Sequence, residues 1–333
     1  MVLGSLLLGA GAACAVAQQP APRFTVEDRG LSLVRTLTDT PGLNNHGDIT
    51  IWHPVSASQM PGVVVHGQET LSIEGPGGFP LVYPSDINDQ MMVSGTVQAE
   101  ADLRFTRAFR WTKNKIELLE ALGGPYSAGL AINAAGVVVG SAQASNGARH
   151  AAVWRGKQPR DLGLLAQGDY SSAHDINDHG DVVGEANVVP NGHPQAFLWH
   201  AGMMRPLEML PKGTTCSAQA INNSGVIVGS CDWAGGLGHA VVWRHGSVED
   251  LGILGEPGEA TSLALDINAR NQIVGVAEPE DGHLRGFLWE KGRLMDLNDL
   301  IDPQSGWRLL VASRINDKGE IFGRGYFKGS IHA

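Results

Sequence analysis

The stretch His174-Asp-Ile-Asn-Asp-His-Gly-Asp-Val-Val-Gly184 crowds the carboxylates of Asp175, Asp178 and Asp181 around one glycine. It reads either as an oxygen cage for a divalent cation or as a tight turn between two strands. A calcium loop of the D-x-N-x-D-G kind needs oxygen ligands at alternate positions and a later carboxylate. Asp175, Asn177 and Asp181 would contribute, but His179 occupies the position of the next oxygen. Elsewhere in the chain the same pattern recurs as AINAAGVVVG from Ala131 and AINNSGVIVG from Ala220, without the carboxylates. What recurs is the Asn-x-x-Gly frame, so the stretch reads as a turn and no metal site is assigned to it. In such a turn Asn caps its own backbone and Gly takes positive φ.

The frame repeats through the chain. An Ile-Asn or Leu-Asn pair recurs at Asn44, Asn88, Asn133, Asn177, Asn222, Asn268 and Asn316, at spacings of 44, 45, 44, 45, 46 and 48 residues. These asparagines define units 1 to 7 below. Three residues on stands glycine, replaced by Met91 in unit 2 and Asn271 in unit 6; seven on stands glycine in every unit but the first, which has Ile51. A second block, Ala-Phe-x-Trp or close to it, ends at Trp111, Trp154, Trp199, Trp243 and Trp289, and a third reads Asp-Leu-Gly at Asp161 and Asp250. Trp at one fixed slot reads as packing between units.

Each unit reads as four short strands, since about 11 residues per strand and turn is the spacing of a sandwich or propeller. No segment has sustained helical periodicity. The expected fold is all-β: a β-propeller of seven four-stranded blades, whose edges are short and protected. Asp28 precedes Asn44 by sixteen residues, as Asp161 precedes Asn177. The chain is therefore expected to begin with the third and fourth strands of a blade and to end with its first and part of its second. An open array is the alternative.

The pattern AxxINxxGxVVG, HAFLW, DLG, with the ending LNDLIDPQSGWRLLVASRINDKGEIFG, resembles the bacterial extracellular HAF-repeat proteins. The resemblance spans most of the chain beyond the leader. It implies export and a repeat β fold, and it brings no catalytic residues with it.

Residues 1–17 read as a signal peptide: an apolar run from Val2 leads to the small-x-small site Ala15-Val16-Ala17. Cys14 would be the alternative site, for lipidation, although Gly11 stands where a lipoprotein signal has Leu. The run is too short for a comfortable membrane span. Residues 18–333 then form a single repeat domain, secreted or periplasmic. The net charge of -10 and the absence of a Lys/Arg run exclude the counterion-replacing surface that nucleic acid requires.

No G-x-S-x-G, H-E-x-x-H or phosphate-loop signature appears, and neither a catalytic residue nor a cofactor is assigned. His150 and His239 precede the Ala-Phe-x-Trp block in separate units, which is not a zinc-ligand arrangement. Cys216 lies five residues before Ile221 and Cys231 five after Val226; if Ile221 faces Val226 across the turn, the thiols are opposite each other and form a disulfide. Function is sought where the units differ, in the stretch between the second glycine and the Ala-Phe-x-Trp block. Trp233, Asp232, His193, Glu280, Asp281, His283 and Tyr326 are the candidate ligand-binding residues there. The expected role is a binding or surface-interaction module, with a cell-surface polysaccharide or protein as partner. The alternatives are a polysaccharide hydrolase or lyase, drawing its two carboxylates from Glu185, Asp232, Glu278 and Glu280, and a purely structural adhesion module.

Overall fold

The computed structural model describes residues 23–30, 41–52, 59–100, 102, 104–112, 115–233, 238–256 and 260–333. The expected leader and Cys14 lie outside them. The described chain is all-β apart from one 3-10 turn, Leu297–Leu300. Unit 4 shows the plan: Ser171–Ile176, Val182–Asn187, Pro194–His200 and Met203–Pro206 pair antiparallel in chain order. Units 5 and 6 repeat it as separate four-stranded sheets, and units 2 and 3 share one eight-stranded sheet through a single parallel bridge, Thr106 with Tyr126.

Period-two side-chain alternation decides the packing. In the third strand of unit 4, Phe197 and Trp199 enter a cluster with Val139, Ala151 and Val153 of unit 3. Ala196 and Leu198 point the other way, into a cluster with Ile227, Val241 and Trp243 of unit 5. The sheets of units 2 to 6 thus bury both faces, one against each neighbour, which is why the second strands read as continuous apolar runs such as Val182-Val183-Gly184. Trp154 and Trp243 are fully buried, and their indole N–H groups donate to Glu120 O and Glu208 O of the preceding unit, at 2.9 and 2.7 Å.

The asparagines do more than cap turns. Asn177 Oδ1 accepts from the N–H of His179 and Asp181, the Gly180 N–H donates to Asn177 O, and Asn177 Nδ2 donates to Asn222 O of the next unit. The same Nδ2 to carbonyl bond links Asn44 to Asn88, Asn88 to Asn133, Asn133 to Asn177, Asn222 to Asn268 and Asn268 to Asn316. Asn316 donates to Asn44 O at 3.0 Å, so the seven bonds return to their start. Beside this ring, residues of all seven units line one cavity of about 240 Å³.

A bulge precedes each asparagine in units 2 to 7; in unit 5 it falls between Ala218 and Ala220. It corrects the turn register read from sequence. Ile221 pairs with Ile227 rather than Val226, and the extra residue Gln219 then restores Cys216 opposite Cys231. The two cysteines are disulfide-bonded. The bulge also presses the first strand onto the second: a Cβ added to Gly184 would lie 2.0 Å from Ser172 O. Met91, which breaks the glycine rule in sequence, still takes φ 56°.

The chain ends are divided differently from the expectation. The C-terminal region supplies three strands of unit 7, Trp307–Ile315, Ile321–Phe327 and Ser330–His332. The described N-terminal residues run along an edge, where Arg29 N donates to Ala333 O and Ala333 N to Gly30 O, and Arg23 N and Phe24 N donate to Leu300 O. Unit 1 has three described strands, and Leu43 before its asparagine bridges Ile49.

Candidate ligand-binding face

Because strands alternate in direction, the Asn turns and the turns between third and fourth strands lie at one end of each sheet. The connections between second and third strands share the opposite end with the connections between units. All the candidate residues belong to that second end.

There the Asp-x-Gly aspartate has two duties. Asp161 and Asp250 accept from the N–H of Gly163 and Gly252, closing their own turns, and pair with Nδ1 of His150 and His239 on the third strand, at 2.7 and 2.8 Å. The tie fixes the imidazole of His239, and on that ring stacks Trp233, at 5.5 Å between centroids and 28° between planes. The indole remains 45% exposed. An aromatic surface of this size is normally buried; here it is held in place yet open to solvent.

The other candidates serve the loops. Asp232 accepts from Thr214 N, Thr215 N and Thr214 Oγ1 at 2.6 to 2.8 Å, which fastens the incoming connection. Partial burial pushes its carboxyl up, but these hydrogen bonds outweigh it and hold the group below the usual carboxylate range. Glu280 does the same for Glu256 N at 2.6 Å. Asp281 accepts from His283 N and pairs with Arg285, both of which hold its carboxyl low. His193 is exposed in the unit 4 connection. Tyr326 is 38% exposed, with the Arg308 guanidinium 5.0 Å over its ring. Among the described residues no hydrogen bond or ring contact joins one of these candidates to another in a different unit. Of the carboxylates nominated for hydrolysis, Glu185 accepts from Tyr170 Oη at 3.0 Å.

A site that the sequence reading missed lies between units 3 and 4. An open cleft of about 680 Å³ is lined by Arg149, Asp169, Tyr170, Asn187 and the two Asn-Gly loop tips, Asn146-Gly147 and Asn191-Gly192. Arg149 lies 4.5 Å over the Tyr126 ring. The buried Asn187 carboxamide organises the floor, accepting from Asp169 N and Tyr170 N and donating to the Asp169 carboxylate. The duplicated Asn-Gly tips were the signal available in the sequence.

The three acidic side chains of the opening stretch go three ways. Asp175 turns into the central cavity, Asp178 accepts from Asn223 Nδ2 of the next unit, and Asp181 pairs with His200. Among the described residues no cluster of three or more His, Cys, Asp or Glu is arranged to hold a metal, and no helix is long and apolar enough to cross a membrane.

The chain is similar to the β-propeller domain of the Trilobed protease from Pyrococcus furiosus, described as having an open velcro topology, with TM-score 0.56, 12% identity, and 79% of this chain and 84% of that one covered. The fold is a β-propeller. A putative TolB from Agrobacterium tumefaciens aligns with TM-score 0.50 and 12% identity, over 79% of this propeller and 93% of that chain. A puromycin-hydrolyzing peptidase from Mycobacterium tuberculosis aligns with TM-score 0.56 and 14% identity, over 86% of this chain but 49% of the peptidase. No family model and no curated protein matches the sequence.

Proposed function

We propose that this chain is an exported, non-enzymatic binding module of the HAF-repeat type, a closed seven-bladed propeller that takes a surface polysaccharide on the end carrying Trp233. The seven-bladed reading is supported by the asparagine bonds that return from unit 7 to unit 1, and by Asp28–Gly30 lying along the last strand of unit 7. Export is supported by the leader-like N-terminus, and the repeat family by the motif itself.

The observation that carries the binding function is the Trp233–His239–Asp250 stack. A half-exposed indole whose support is already fixed loses little freedom when a sugar ring covers it, and preorganisation of that kind converts contact into affinity. A binding role also accounts for the carboxylates: Glu185, Asp232 and Glu280 are engaged in hydrogen bonds that hold strands and loops.

A thermal-shift and calorimetric screen of residues 18–333 against surface polysaccharides tests the reading. One glycan should raise the melting temperature by several degrees. Trp233→Ala should weaken that binding about 10-fold, the size of one lost aromatic contact. Binding that survives Trp233→Ala unchanged would move the site elsewhere, and the absence of any glycan response would leave a protein partner as the function.

A further inference from the structure

The central cavity has a pattern of its own. Two residues before each ring asparagine stand Gly42, Asp86, Ala131, Asp175, Ala220, Asp266 and Arg314, so carboxylate and methyl alternate through units 2 to 6. The bulge in each first strand turns this position toward the cavity, a recognised use of bulges. Each carboxylate spans two units. Asp86 accepts from Ile87 N and from Ile132 N of unit 3; Asp175 from Ile176 N and from Ile221 N of unit 5; Asp266 from Ile267 N and from Ile315 N of unit 7, all at 2.8 to 3.0 Å. Each oxygen thus has one backbone partner, and no other protein donor reaches these carboxylates among the described residues.

Arg314 is the cation of the enclosure. Among the described residues its remaining titratable groups are His174, whose Nδ1 meets Ala218 O, and three mouth aspartates, Asp89, Asp178 and Asp317. The mouth aspartates are held by bonds from the preceding unit's turn: Asp89 accepts from Asn45 N, Asp178 from Ala134 N and Asp317 from Ala269 N.

We infer that the cavity is a proton-binding site, in which carboxyl groups on alternate units hold protons at a pH where a free aspartate is ionised, and through which the stability of the ring responds to pH. Among the described residues, three half-buried carboxylates around one guanidinium leave a net negative charge on the wall of one cavity of about 240 Å³. Burial, reinforced by the neighbouring carboxylates, pushes Asp175 up to about 7 and Asp266 up to about 6, and burial also raises Asp86. The attraction of Arg314 pulls Asp86 and Asp266 back down, while Asp175 lacks that help and stands above Asp266. The three titrate as a coupled set.

The sign of the effect follows. A carboxyl raised in the folded state binds protons more tightly there than in the unfolded chain. Its contribution is complete below the unfolded value of about 4 and is lost as pH rises through 6 and 7. Ionisation then sets like charges on units 2, 4 and 6 facing one another.

The test is a carboxyl 13C NMR titration of the full chain, labelled at aspartate, from pH 4 to 8.5. One resonance should titrate near 7 and vanish in Asp175→Asn, and a protonated-carboxyl infrared band present at pH 5.5 should be gone at 8.5. In parallel, the wild-type melting temperature should fall by several degrees between pH 5.5 and 8, and Asp175→Ala, which installs the residue of units 3 and 5, should flatten that slope. Titration of every aspartate below pH 5, or parallel melting profiles for wild type and Asp175→Ala, would overturn the inference. The wild-type NMR titration decides the matter even if a variant does not fold.

Discussion

His332 and Asp28, 304 residues apart, make the same Nδ1 to carboxylate contact that His239 and Asp250 make at 11 residues. Asp28 Oδ1 also accepts from Gly30 N, as Asp250 does from Gly252 N. Asp28 thus lies against the third strand of unit 7 with the same two contacts that Asp250 makes in unit 5. Removing residues 18–30 should lower the melting temperature by more than any single substitution within the segment, and should open the C-terminal strand to proteolysis. The bonds from His332 hold the Asp28 carboxyl low. Its stabilisation is thus present above the ordinary carboxylate range and is lost as pH falls below it. Asp28→Asn should abolish that acid-side dependence in a melting series from pH 5 to 2.5.

Asn177→Asp changes one atom and should cost about 2–4 kcal/mol in urea unfolding at pH 7. It removes the only side-chain donor to the buried Asn222 carbonyl among the described residues and places a charge in a site that is 4% exposed. Ser224→Asp at an exposed position of the next turn should stay within about 1 kcal/mol.

The two repeated glycines of unit 4 should respond unequally to alanine. Gly180 needs only its φ of 86°, and the space around it is open except for the Arg155 side chain at 3.6 Å, so the cost should be about 1–2 kcal/mol. Gly184 has a carbonyl oxygen where the methyl would go, and Gly184→Ala should cost about 3 kcal/mol or more. Paired denaturation curves separate the two.

The disulfide closes a loop with a sequence separation of 15. Cys216→Ala with Cys231→Ala should cost about 3 kcal/mol on the loop-entropy scale. Intact mass under alkylation, with and without reductant, should show both thiols blocked in exported protein.

The turn at each Ile-Asn pair was legible in the sequence because Asn and Gly act on their own neighbours. The ring was not, since the acceptor of each carboxamide lies about one repeat away and leaves no local trace. Its only signal was that asparagine holds all seven positions while Met91 and Asn271 intrude on glycine. The strand register failed by one residue at Ile221 for a related reason: a bulge is set by what presses on the strand, and sequence spacing does not encode it. Among the candidate side chains, exposure of Trp233 followed from its place outside the repeated Trp slot. The duties of Asp232 and Glu280 did not, because Thr214 and Glu256 belong to connections whose approach only the fold determines.

The asparagine bonds all run in one direction. Each unit donates to the unit that follows it in the chain, so during synthesis every carboxamide waits for residues not yet made. Asn316 alone finds its acceptor, Asn44 O, already present. Among these asparagine bonds the last is the only one that joins unit 7 back to unit 1. A chain halted before Asn316 therefore keeps one carboxamide donor, on Asn268, and one acceptor, Asn44 O, without their ring partners.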